Sequence, residues 1–296
     1  MKRRVLGMGL VLGALALLFL AGCIPSELAT RELTESFIAV EGGVELEVGS
    51  SNGRVTVQGV EGQTSVVVTA TLRSRGETMA EAMVRVAQIN VEMTQVGNRI
   101  SLRYDAGDHP LNVGRYSGVD FDVTVPTQVN VDADTSNGRI EIQDVSGVLV
   151  LETSNGKVGV SDSIAEVHAQ TSNGGIEIDH VVGILDLDTS NGRIEMESIE
   201  GVVDAETSNG AIWFSGMLIS DVAHRMVTSN GRIDLAIRSD ASLIINASTS
   251  NASIVSTLPL VGDTEGKEWS AVLNPPATGT LTLRTSNGQI EMHGIF

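Results

Sequence analysis

Thr135-Ser136-Asn137-Gly138-Arg139-Ile140-Glu141-Ile142 returns almost unchanged as Thr189-Ser190-Asn191-Gly192-Arg193-Ile194-Glu195-Met196. The first four residues recur through the second half of the chain. Thr-Ser-Asn-Gly begins at Thr135, Thr153, Thr171, Thr189, Thr207, Thr228 and Thr285, with variants from Ser50 to Gly53 and from Thr249 to Ala252. Successive starts from Thr135 lie 18, 18, 18, 18, 21, 21 and 36 residues apart. A fixed period of this length is the perimeter of a solenoid coil. The steps of 21 read as three-residue insertions, and the last gap as two coils with the signature missing from one.

Aligned on the Thr, the apolar residues alternate with period two, as half-buried strands require. Five residues on stand Ile140, Val158, Ile176, Ile194, Ile212, Ile233, Ile254 and Ile290. Four and two residues before it stand pairs such as Val131/Ala133, Leu149/Leu151 and Leu185/Leu187. Each coil therefore supplies two short strands facing one lumen. No Pro falls between Thr127 and Leu258, as unbroken parallel ladders demand. The fold class is all-β: a single-chain β-solenoid, a β-helix expected to be right-handed, with coils of about 18 residues and a small α+β N-terminal cap. Roughly nine coils from Thr135 onward would make a rod on the order of 45 Å.

The signature suits a corner. Asn and Gly accept left-handed backbone angles, and Ser and Asn side chains bond to nearby backbone. Stacking at about 4.8 Å would let the side-chain amides of Asn52, Asn137, Asn155, Asn173, Asn191, Asn209, Asn230, Asn251 and Asn287 form a structural ladder. A functional site is used once, whereas a corner rule is obeyed in every coil. The Thr column follows an apolar residue two places earlier, so it faces the turn or lumen rather than outward as an ice-binding face would need.

Composition narrows the function. The 296 residues include 37 Asp/Glu against 19 Lys/Arg, a formal charge of −18, which excludes a phosphate-facing nucleic-acid binder. Only 2 Trp, 2 Tyr and 5 Phe are present, so the core is aliphatic and thin. Lys2-Arg3-Arg4 precedes an apolar run from Val5 to Leu20, too short for an ordinary spanning helix and suited to a secretory signal. Leu20-Ala21-Gly22-Cys23 resembles the bacterial lipobox, which implies lipidation at Cys23, the one cysteine. Ile24 after it implies an outer-membrane or cell-surface address in the bacterial envelope rather than the inner membrane. The domains then run 1–22 signal peptide, 23–35 tether, 36–126 cap, and 127–296 Thr-Ser-Asn-Gly solenoid.

The cap holds a divergent coil around Ser50, the strand Ser65–Ala70, a helix predicted over Glu77–Gln88, and a hairpin turning at Gly97-Asn98. Ile290 to Phe296 would close the other end with little cover. With Asp122-Val123-Thr124-Val125-Pro126 and the recurrent Thr-Ser-Asn-Gly-x-Ile-x-Ile, the chain resembles the bacterial putative-adhesin family of β-strand repeats, a domain of unknown function in envelope proteins. The resemblance implies a β-solenoid, an envelope location and no catalytic residues to carry over.

Outward positions carry charge in columns. Glu141, Glu177, Glu195, Asp234 and Glu291 sit beside Arg139, Lys157, Arg193 and Arg232, while Asp134, Glu152, Asp188 and Glu206 lack an equally basic neighbour. The latter could recruit Ca²⁺, but a solvated acidic face needs no ion. His109, His168, His180, His224 and His293 share no zinc spacing. No nucleophile elbow or phosphate loop occurs. Trp213 and Trp269 could stack a sugar or pack under loops, and His109 and Tyr116 are equally ambiguous. Apolar offsets of five, seven, ten, fourteen and sixteen from Thr do not fit the six-residue period of hexapeptide acyltransferases, and near-constant coils leave little loop for a polysaccharide lyase or hydrolase. The expectation is a non-enzymatic, lipid-anchored surface rod with no cofactor or metal, meeting the membrane through its anchor and a protein or glycan through its faces. The alternatives are an envelope-stress or signalling accessory and, behind it, a carbohydrate-active enzyme.

Overall fold

Period-two alternation makes strands with one apolar face, and a sheet of such strands must be covered on that face. A computed structural model describes residues 27–39, 43–105 and 117–295, which form 22 strands and one helix. The chain opens with β1 (Glu27–Ile38), β2 (Val44–Ser50), β3 (Val55–Val60) and β4 (Ser65–Gly76). Helix α1 (Met79–Gln88), the hairpin β5 (Asn90–Val96) and β6 (Arg99–Asp105), and β7 (Ser117–Pro126) complete the N-terminal part. The regular coils are β8 (Val129–Thr135), β9 (Ile140–Gln143), β10 (Ser146–Thr153), β11 (Val158–Thr171), β12 (Ile176–Thr189) and β13 (Ile194–Thr207). Then follow β14 (Ile212–Leu218), β15 (Ala223–Thr228), β16 (Ile233–Arg238), β17 (Leu243–Thr249) and β18 (Ile254–Ser256). The hairpin β19 (Leu260–Asp263) and β20 (Glu268–Leu273) leads into β21 (Gly279–Thr285) and β22 (Ile290–Ile295).

Each coil has two arms that meet at the signature. Parallel pairing keeps equivalent residues in register: Thr153 sits against Thr171, Thr171 against Thr189, and Thr189 against Thr207. The inward side chains form one continuous aliphatic core. Ile140, Val158, Ile176, Ile194, Ile212, Ile233 and Ile290 are each at most 1% exposed. Truncating one to Ala would cost about 2–5 kcal/mol, because neighbouring coils hold the walls of the cavity apart.

The order of stacking departs from the order of the chain at both ends. On the first arm β5, β6, β2, β8 and β10 are successive neighbours, so the early strand β2 lies between β6 and β8. On the second arm β1, β4, β7, β3 and β9 are neighbours, with β3 enclosed in the same way. At the far end β21 lies between β15 and β17, and β22 between β16 and β18. The last coil of the chain is thus internal. Antiparallel additions are outermost on both arms at one end, β5 and β1, and on the first arm at the other, β20 with β19. On the second arm the far edge is β18, a parallel strand of three residues paired with β22, and so short an edge offers little ladder to a further strand.

Several expectations change accordingly. The gap of 36 residues between Thr249 and Thr285 holds the hairpin β19–β20, not a second coil, and Pro259, Pro275 and Pro276 there are incompatible with an inner parallel strand. Eight coils, not nine, follow Thr127. Ile290 to Ile295 is covered on one side by β16 and on the other by β18. Residues expected to be a tether include β1, which pairs with β4 from Glu27–Gly76 to Ile38–Ser65. Helix α1 begins two residues later than the sequence suggests, because Thr78 is its N-cap, accepting the Glu81 amide at 3.2 Å. It buries Ala82 and Val86 over β1 and β4.

Candidate functional site

The signature column is the most repeated feature, and its hydrogen bonds run along the axis. Asn137 Nδ2 donates to Asn52 Oδ1 at 2.7 Å, Asn155 to Asn137 at 2.9 Å, Asn173 to Asn155 at 2.8 Å and Asn191 to Asn173 at 2.9 Å. Asn209 donates to Asn191 at 2.8 Å, Asn230 to Asn209, Asn287 to Asn230 and Asn251 to Asn287, each of the last three at 2.7 Å. The series steps from Asn230 to Asn287 and only then to Asn251, following stacking order rather than chain order. One N–H of each amide from Asn137 onward is spent on its neighbour, and in Asn155, Asn191, Asn209 and Asn230 the second reaches a Ser carbonyl at 3.3–3.5 Å, so the middle of the column presents little unused donor capacity to a ligand.

Beneath it lies a second column. The eight Thr from Thr135 to Thr285 are 2–6% exposed. Thr189 Oγ1 accepts the Gly192 amide at 3.1 Å and donates to the Gly174 carbonyl of the preceding coil at 3.0 Å. Both backbone groups of a buried corner are thereby satisfied by one hydroxyl. The corner glycines are not in the left-handed region, contrary to the expectation from turn chemistry; those angles belong to Asp144, Asp162, His180 and Ser198 at the opposite bend.

The outward cations of the second arm are paired. Arg139 meets Glu141 at 2.6 Å, Arg193 meets Glu195 at 2.5 Å, Lys157 reaches Glu177 of the next coil, and Arg232 reaches Asp234. Such exposed pairs are worth about 0–1 kcal/mol each. The other acidic column also has cations at its two ends. Arg103 lies beside Asp134 over Gly49, and Arg225 binds Asp204 at 3.1 Å and Glu206 at 2.7 Å. Partial burial raises the carboxyl pKa of Asp134 and Asp188, helped at Asp188 by Glu206 and Asp186. Among the described residues no three His, Cys, Asp or Glu converge on a metal position.

The remaining candidates are scattered. Cys23, His109 and Tyr116 lie outside the described residues. His168 is held between Glu166 and Asp186 on the outer face, His180 beside Asp179 at a bend, and His293 near Glu291. Among the described histidines His224 alone is buried, in a lumen position that other coils fill with Val, Leu or Ile. Trp213 stands between Glu195 and Asp234 on the second arm, half-buried. Trp269 packs against the core from the terminal hairpin, its Nε1 donating to the Gly266 carbonyl at 3.3 Å. Two shallow grooves cross the first arm's outer face. One, of ≈ 370 Å³, includes Glu47, Arg99, Asp132, Val148 and Val150; the other, of ≈ 320 Å³, includes Arg225 and Arg284, and sequence reasoning did not single it out.

The family model described as Toastrack DUF4097 matches residues 46–293, from β2 to β22. The chain belongs to the Toastrack family. That span contains every Asn of the ladder and all but the outer two residues of each inserted coil. No curated protein matches the chain by sequence. Among solved structures it is similar to a putative adhesin from Bacteroides fragilis at 13% identity, covering 88% of this chain and 96% of that one with a TM-score of 0.41. It is also similar to a putative adhesin from Parabacteroides merdae at 8% identity, covering 88% and 95% with a TM-score of 0.40. A putative lipid binding protein from Parabacteroides distasonis matches at 8% identity, over 90% and 97%, with a TM-score of 0.27.

Proposed function

We propose that this Toastrack chain is a non-enzymatic, lipid-anchored β-solenoid of the bacterial envelope, acting as an adhesin or surface interaction scaffold. The carrying observation is how the repeat spends its polar groups. Asn amides bond to Asn amides, Thr hydroxyls to corner backbone, and most cations to carboxylates, so the chain is committed to a stiff rod with broad faces that keep an excess of acid. Leu20-Ala21-Gly22-Cys23 supports attachment through a diacylglyceryl thioether at Cys23, with β1 beginning only four residues later. A rod so rooted stands close to its membrane and offers its flanks to a protein or glycan.

The test is fractionation of cells expressing the full chain and its Cys23→Ser variant, with labelled fatty acid. The native chain is expected in the membrane fraction carrying label, and Cys23→Ser in the soluble fraction without it. Membrane retention of unlabelled Cys23→Ser would overturn the anchor. A pulldown with the intact acylated protein identifies the partner.

A further inference from the structure

The outer face of the first arm changes sign along the rod. Three and one residues before the signature Thr, successive coils present Asp132 and Asp134, then Val150 and Glu152, then His168 and Gln170. Asp186 and Asp188 follow, and then Asp204 and Glu206. The next coil in the stack has Arg225 and Val227, and the one after it, brought there by insertion of β21, has Thr282 and Arg284. At this junction the face forms the ≈ 320 Å³ groove, lined by Arg225, Val227 and Ser229 from one coil and Thr282, Arg284 and Ser286 from its neighbour.

The two arginines are not equivalent. Arg225 is occupied by Asp204 and Glu206 and closes the acidic side of the groove. Arg284 is exposed and, among the described residues, its guanidinium has neither an ion pair nor a hydrogen bond. On its far side the next strand offers Asn246 and Ser248, both neutral, and the nearest carboxylate there, Glu268, is two strands away from it, roughly 10 Å. A guanidinium left free on a chain of net charge −18, with Thr and Ser hydroxyls around it, is an oxyanion receptor.

We propose that this groove binds a carboxylated sugar of a sparsely charged acidic glycan, with Arg284 as the fork for the carboxylate. One free cation calls for one anionic group. The acidic rows beside it would repel a dense polyanion or an anionic bilayer, while Thr282, Ser229 and Ser286 can exchange hydrogen bonds with ring hydroxyls. The volume is at the low end for small-ligand sites. This inference deepens the reading of the rod as a binding scaffold and rests on it.

The experiment is titration calorimetry of the full chain in phosphatidylcholine nanodiscs with 3′-sialyllactose, which carries one carboxylate on three sugars, beside lactose, inorganic phosphate and phosphatidylglycerol vesicles. Native protein should bind 3′-sialyllactose, more weakly as salt rises, and not lactose. Arg284→Gln should weaken binding about tenfold or more, with Arg284→Lys between them. An unchanged melting curve for both variants ties the loss to the groove. No 3′-sialyllactose binding, equal binding by Arg284→Gln, or stronger Arg284-dependent binding of phosphate or vesicles would overturn the proposal. Cleavage of 3′-sialyllactose would instead overturn the non-enzymatic reading, and loss of acylation at Cys23 would overturn the anchor, so the three failures are distinguishable.

Discussion

A Cβ placed on Gly192 would lie 1.7 Å from the carbonyl oxygen of Gly174 in the preceding coil. The same approach, 1.6 or 1.7 Å, recurs at Gly138, Gly156, Gly174, Gly210, Gly231 and Gly288. Glycine is required here by what stacks against it, not by its own dihedrals. The one exception is Ala252, in the coil formed by β17 and β18. That coil has a signature corner on one side only, so it can shift outward. Its Ala252 amide to Thr249 Oγ1 distance is accordingly 3.4 Å, against 3.1 Å at Gly192.

Gly192→Ala should therefore destabilise the rod by about 3 kcal/mol, at the upper end for overpacking, because backbone rather than a movable side chain is struck. Asn191→Ala removes two donated bonds and one accepted bond at an exposed site where water can substitute, and should cost about 1 kcal/mol. Urea unfolding of the two variants gives the order. A larger loss for Asn191→Ala would place the stability of the corner in the amide ladder instead.

Thr189→Val should cost about 2–4 kcal/mol, since it leaves the buried Gly192 N–H and Gly174 carbonyl without their shared partner. Thr189→Ser keeps the hydroxyl and should lose only about 1 kcal/mol for the methyl. The protein already carries such a serine, Ser50, whose Oγ donates to the Val119 carbonyl at 3.0 Å. Equal melting of the Val and Ser variants would contradict this role for the hydroxyl.

Deleting residues 279–296 should do more than shorten the rod. It empties an internal slot and strips partners from β15, β16, β17 and β18 together. Hydrogen exchange should then show protection lost in all four strands while β11 and β12 stay protected. Full protection of β15 and β17 in the deletion would show that the two flanking coils can close on each other.

Two histidines should titrate on opposite sides of 6.5. His224 Nδ1 accepts the Val203 amide at 3.3 Å and its Nε2–H donates to the Ile219 carbonyl at 2.8 Å, so the neutral ring is the one that fits. Burial pushes its pKa below 6.5. The unfolded chain takes up that proton first, so stability present above pH 6.5 is lost as pH falls through the folded value. His168 is raised, chiefly by its hydrogen bond to Glu166, so its smaller contribution is present below pH 6.5 and lost as pH rises through the folded value. NMR titration of the ring Cε1 protons decides the matter, and a His224 pKa above 6.5 would refute it.

Much of this was legible from residues alone because it is local. Ile140, Ile176 and Ile194 sit in the lumen where period two places them, and the coil perimeter follows from the spacing of Thr153, Thr171 and Thr189. The Arg284 groove was not legible. It is assembled from Val227 and Arg284, which are 57 positions apart and become neighbours only through insertion of β21. One signal was available: Ala252, the single break in the glycine column, marks a coil with a free face, and the three prolines after Thr257 mark a segment outside the ladder.

The repeat by itself determined the coil, its inward face and its corner chemistry, since alternation and turn propensity act over a few residues of contiguous chain. Tertiary structure decided which coil lies on which. All the parallel edges are nearly the same surface, so local pattern does not distinguish sequential stacking from insertion. The choice was made by the connections: prolines and the β19–β20 hairpin carry the chain past the slot that β21–β22 then fill, while at the other end β4, α1 and the β5–β6 hairpin go out on one side of β2–β3 and β8–β9 return on the other. That same choice placed the unpaired Arg284 beside Arg225 at the end of an acidic face.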